Sequence, residues 1–171
     1  MSRFMLTNIS TQELAFSYSK DTSLSELQCL GVEIFHFDKT SPRILLPIFG
    51  SKVAAGFPSP ADDYIEKSLD LNELLIQKPA ATFFVRAQGE SMLGAGIHPN
   101  DILVVDKSAD AIDGKVVIAA LNGELTVKRL TKNLDGTWYL KAENNAFPDI
   151  LLHDDLELVI WGVVTSVIHN L

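Results

Sequence analysis

The chain has 171 residues, 47% of them hydrophobic and 21% charged, a globular balance that excludes a disordered polymer. Its net charge is −8, and the acid lies downstream: residues 1–56 are neutral, while residues 57–171 carry the whole excess. Neither part offers the basic patch that displaces counterions from phosphates, so direct DNA binding is disfavoured. No apolar run reaches the length of a membrane span, the start of the chain lacks a secretory pattern, and Cys29 is the single cysteine. A reducing, cytoplasmic setting follows as the simplest expectation.

In chain order, Ser23 and Glu26 are spaced as a capping box, predicting a short helix that ends near Gly31. Val32–Phe37 reads as a short strand. Between residues 41 and 60, Pro42, Pro47, Pro58 and Pro60 with Gly50 and Gly56 interrupt regular structure, yet Ile44, Leu45, Leu46, Ile48, Phe49, Val53 and Phe57 make the segment apolar. An extended arm that docks part of the time into a groove accounts for both features. Residues 61–69 read as a helix, from the four-residue spacing of Ile65 and Leu69 and from Asp62 and Asp63 at the positive helix start.

From residue 80 onward the pattern is β. Ala81–Ala87, Asp101–Asp106, Lys115–Ala120, Glu124–Leu130, Thr137–Ala142 and Leu156–Ile168 are rich in Val, Ile, Thr and aromatics. Asn122-Gly123 predicts a tight hairpin, since both residues accept positive φ, and Asp135-Gly136 predicts a second turn. Short strands with frequent turns predict a mostly β fold: a compact, strongly curved β domain behind an extended N-terminal arm.

The chemistry concentrates at Gly89-Glu90-Ser91-Met92, which follows the first of these strands, and at Lys128 on the strand after Asn122-Gly123. A serine hydroxyl needs a neighbouring base. His36, His98, His153 and His169 lie in no triad motif, and Gly89–Met92 is not a Gly-x-Ser-x-Gly elbow. A lysine serves if burial keeps it neutral. Periodicity alone does not pick out this pair. With period two, Glu124, Thr126 and Lys128 share one face opposite Leu125 and Val127, which taken alone reads as a solvated polar face. Likewise Ser91 alone reads as a turn serine and Met92 as a core plug. The scattered histidines and lone cysteine predict no metal site and no cofactor.

The stretch from Phe57 to Met92 closely resembles the UmuD proteins of the bacterial SOS response, within the LexA/UmuD family of self-cleaving Ser-Lys peptidases. The similarity continues through Gly96-Ile97, Asp101–Asp106, Gly114–Ala120 and Gly123–Arg129, and more loosely through Trp161–Val164, covering about residues 53–168. The resemblance implies a β-clip-like peptidase domain. It also implies Ser91 as nucleophile, Lys128 as general base and Ala55-Gly56 as the bond cut. The amides of Ser91 and Met92 are where an oxyanion hole is expected. Cleavage would divide the chain into an arm, residues 1–55, and a peptidase and dimerisation domain, residues 56–171. The implied partners are a second copy, a RecA filament on single-stranded DNA that stimulates the cut, and a UmuC-like Y-family polymerase for error-prone translesion synthesis. An arm of 55 residues is longer than in the short-armed UmuD proteins and shorter than the DNA-binding domain of LexA. The alternative is therefore a LexA-like repressor inactivated by the same cut.

Overall fold

The structure is a computed structural model that describes residues 34–35, 43–49, 65–153 and 156–171. The capping box at Ser23, the Asp62-Asp63 pair and the bond between Ala55 and Gly56 lie outside the described residues. Ten strands are seen: β1 (Ile34–Phe35), β2 (Leu46–Phe49), β3 (Ile65–Leu69), β4 (Thr82–Arg86), β5 (Ile102–Asp106), β6 (Val116–Leu121), β7 (Glu124–Lys132), β8 (Trp138–Lys141), β9 (Ile150–Leu151) and β10 (Leu158–Ile168). One helix, α1 (Leu71–Leu75), and a single 3-10 turn at Leu93–Ala95 complete the described residues.

Eight strands form one sheet in the order β1-β4-β5-β10-β6-β7-β8-β9, and every neighbouring pair is antiparallel. The long β10 stands at its centre, and Val163 faces Asp106 of β5 on one side and Val117 of β6 on the other. Its register shifts between Ile160 and Gly162 and again between Val164 and Ser166. Such bulges bend a strand and increase its twist, which curves the sheet. Gly162 is required at the first shift: a Cβ there would stand 2.6 Å from Val105 Cγ1.

Both faces of the sheet centre are buried. Ile118 and Ala120 of β6 join a core with Phe83, Val85, Met92, Ile97, Leu103, Val105 and Trp161. The alternate residues Val117 and Ala119 join a second core with Leu130, Trp138, Leu140, Ile160 and Val163. This explains why β6 is apolar throughout instead of alternating. Lys107 caps the first core, its Nζ 5.4 Å from the ring centroids of both Phe83 and Trp161.

The hairpin between β6 and β7 turns through Asn122 and Gly123 at φ 49° and 85°, the two positive values of the predicted turn. Gly123→Ala places a Cβ in the left-handed region. It is expected to lower stability by roughly 1 kcal/mol in urea denaturation. The second predicted turn is also found: Asn133 N donates to Thr137 O at 2.8 Å, with Gly136 at φ 90°.

The helix expected over 61–69 is corrected. Ile65–Leu69 is a strand, β3, paired with β2 through Leu46–Leu69, Pro47–Ser68, Ile48–Lys67 and Phe49–Ile65. A spacing of four places Ile65 and Leu69 on one face of a helix, but four is also a multiple of the strand period. The helix begins only after Asp70, whose carboxylate accepts from Asn72 N at 2.8 Å as an N-cap. The apolar segment before Pro58 is extended where it is described, at β2, with Ile44, Leu45 and Leu46 exposed. No helix among the described residues is long and apolar enough to cross a membrane.

Candidate active site

The site is built where the chain leaves β4. Gly89, at φ 81°, turns the backbone out of the strand direction, and the chain then enters the 3-10 turn and leaves it through Gly96 at φ 74°. Met92 is 2% exposed and enters the first core beside Ile97. Its carbonyl accepts from Ala95 N at 3.0 Å and Ile97 N at 3.2 Å. The expected core plug at Met92 is thus found, and it anchors the residue next to it, Ser91.

Lys128 arrives from β7, opposite Val117 of β6. It is 7% exposed, and Leu130, two residues on along the same face, is 0% exposed. The alternation read from sequence is correct, but its assignment to solvent is not: the face is exposed at Glu124 and buried by Lys128. One strand face thus passes from the exposed hairpin end into the interior along its length. Lys128 Nζ donates to Ser91 Oγ at 2.6 Å. Burial pushes the Lys128 ammonium down from the ordinary lysine range, and the nearby Asp149 carboxylate opposes part of that shift. Serine hydroxyl and a lysine biased toward its neutral form are therefore in direct contact.

A strap between β8 and β9 holds the two halves of this contact in place. Glu143 N donates to Ser91 O at 2.8 Å, and Gly94 N donates to Glu143 O at 2.6 Å. Asn144 Nδ2 donates to Glu90 O at 2.9 Å. The Glu143 carboxylate in turn accepts from Arg129 Nε at 2.6 Å, and Arg129 Nη1 donates to Gly114 O at 2.6 Å. Arg129 follows Lys128 on β7. One residue, Glu143, thus bonds to the serine loop through its backbone and to the lysine strand through its side chain. The sequence reading missed this strap, since its bonds to Ser91 and Gly94 are made by main-chain atoms that carry no residue signature. Gly94 was the available signal, because a Cβ there would meet Glu143 O at 2.5 Å.

Among the described residues no carbonyl accepts from the amides of Ser91 or Met92. Neither His98 nor His169 is part of the Ser91–Lys128 hydrogen bond. The two instead meet across Asp101, a grouping that the sequence reading did not foresee.

Residues 47–165 match the Peptidase S24-like family, and the chain belongs to it. With the matches below, that makes it a self-cleaving serine peptidase of the UmuD type, within SOS mutagenesis. It is 50% identical to Protein SamA of Salmonella typhimurium strain LT2 over 124 residues, 72% of this chain and 85% of that protein. It is 42% identical to Protein MucA of Escherichia coli over 135 residues, 78% of this chain and 91% of that protein. It is also similar to the LexA repressor of Vibrio atlanticus, at 38% over 143 residues, 82% of this chain and 67% of the repressor.

Proposed function

We propose that Ser91 is the nucleophile and Lys128 the general base of a self-cleavage at Ala55-Gly56, and that the processed chain serves error-prone DNA synthesis after damage. The contact of 2.6 Å between Lys128 Nζ and Ser91 Oγ carries this reading. When Lys128 is neutral, the same contact lets the hydroxyl donate to the amine as Oγ attacks the Ala55 carbonyl carbon. The amides of Ser91 and Met92 take up the charge on the oxygen. Lys128 then returns its proton to the Gly56 nitrogen, the peptide bond breaks and Ala55 remains as an ester on Ser91. Water, deprotonated by Lys128, hydrolyses that ester and restores the hydroxyl. Small side chains at Ala54, Ala55 and Gly56 let the backbone approach closely.

Residues 1–55 are then the released arm and residues 56–171 the peptidase and dimerisation domain. Enzyme and substrate share a chain, so effective concentration is high and the reaction needs a gate. A RecA filament on single-stranded DNA acts by shifting the arm toward its docked state, without supplying catalytic groups. The processed homodimer joins a UmuC-like Y-family polymerase in the cytoplasm. Support for this over the repressor reading comes from coverage: the match takes in 85% of SamA but 67% of the LexA repressor.

Incubation of the purified chain at alkaline pH, read by intact mass, tests the cut. Raised pH neutralises Lys128, so a product beginning at Gly56 is expected to accumulate faster with no added factor. Cleavage at another bond, or a rate indifferent to pH, overturns the assignment.

A further inference from the structure

Three side chains that take no part in the peptidase contact converge at one end of the sheet. The last pair of the β5–β10 ladder is Ile102 with Ile168, so the next residues on each strand, Asp101 and His169, also face each other. His169 Nδ1 lies 2.6 Å from Asp101 Oδ1. His98 is brought in by a tight turn: Asp101 N donates to His98 O at 3.2 Å, and His98 N donates to Asp101 Oδ2 at 2.7 Å. His98 Nδ1 stands 3.7 Å from Asp101 Oδ2, and the two imidazole rings are 4.7 Å apart between centroids. One donor atom from each of the three residues lies within 4.8 Å of the others.

We propose that His98, Asp101 and His169 form a binding site for one divalent transition-metal ion of the zinc type. Two imidazole nitrogens and one carboxylate oxygen are the donor set of borderline ions, not of calcium or magnesium, which take oxygen. The carboxylate is 2% exposed and fixed by the His98 amide, while the His98 and His169 side chains are 46% and 43% exposed. A rigid buried anion thus sits under two imidazoles open to solvent, which leaves an entry path and room for a water ligand. Bond lengths of about 2.0–2.2 Å place neighbouring ligand atoms about 3.3 Å apart in a tetrahedron. The His169–Asp101 pair, at 2.6 Å, must therefore open by about 0.7 Å, and the widest separation in the group, up to 4.8 Å, must close by as much as about 1.5 Å, movements open to two half-exposed imidazoles. His169 lies beyond the last ladder pair, where such a shift breaks no strand bond. The ion would tie the end of β10 to the turn that follows the Ser91 loop.

Calorimetric titration of the full chain carrying Ser91→Ala with zinc chloride tests the site, the substitution keeping the chain at one length. One equivalent is expected to bind and to raise the melting temperature. His169→Ala and His98→Ala, both at half-exposed positions, should each weaken uptake at least about tenfold, as loss of a direct ligand exceeds a second-shell change. Each variant's zinc-induced rise is read against its own melting temperature without zinc, because His169→Ala also removes the 2.6 Å bond to the buried Asp101 carboxylate and should melt lower than the parent. Failure of the parent to bind, or undiminished binding in either histidine variant, overturns the proposal; zinc held by Cys29, His36 or His153 gives the latter result.

Discussion

Ser91→Ala, Lys128→Met and the double variant are expected to lose self-cleavage to the same extent. In the proposed mechanism the amine and the hydroxyl act as one unit through their contact of 2.6 Å, so removing either would remove the activated nucleophile. A positioned general base alone is worth about 10²–10⁴-fold, and loss of that order in cleavage rate, followed by intact mass at one alkaline pH, is the expected magnitude. The methionine is chosen because it keeps the volume of the buried stem and discards the charge. Stability then moves the other way. Burial lowers the pKa of Lys128 in the fold, so between the folded and the unfolded value the unfolded chain binds more protons. Wild-type stability therefore rises with pH across that window, and the full penalty of an interior ammonium is present below it. Lys128→Met removes that penalty. Its melting temperature should exceed that of the Ser91→Ala chain most at low pH, and the difference should shrink as pH climbs toward the ordinary lysine value. A variant that loses activity by unfolding would instead melt lower throughout.

Gly94→Ala is expected to slow the cut by about 10²-fold although residue 94 bears no chemistry. The added Cβ would stand 2.5 Å from Glu143 O, a main-chain atom that cannot rotate away. Either the Gly94–Glu143 bond or the Glu143–Ser91 bond must yield, and both set the position of the serine backbone. Overpacking of this kind costs roughly 1–3 kcal/mol, which urea denaturation would register. The informative combination is a large fall in rate with a pH midpoint that stays where it was, because Lys128 keeps its own burial. A midpoint that moves with the rate would place the strap's effect on the base instead of on the serine.

Much of the fold was legible because its signals are local. Asn122-Gly123 and Asp135-Gly136 report their own backbone requirements, and the strands they join carry β-branched residues that a pleated surface accepts. β3 was misread since one apolar pair four apart satisfies both periods, and only pairing with β2, through residues some twenty positions upstream, decides between them. Lys128 shows a different limit. Its alternation was read correctly, but whether a face is wet depends on what packs over it, here the loop that carries Ser91, which lies 37 residues upstream. Ser91 and Lys128 were found through resemblance, not through periodicity. Glu143 was hidden by its use of main-chain atoms. His98 and His169 were dismissed as scattered because ladder register, not spacing along the chain, brings His169 to Asp101.

The claim on which the chemistry depends is that Lys128 gives up its proton more readily than a solvated lysine. An NMR titration of the Lys128 side chain, assigned against Lys128→Met, measures this directly. The proposed cut would leave both Ser91 and Lys128 in residues 56–171, so the processed chain would serve for the measurement. The expected midpoint lies below that of an ordinary lysine and coincides with the rise of cleavage rate with pH. A midpoint at or above the ordinary lysine value, with cleavage still proceeding near neutrality, would contradict Lys128 as the base.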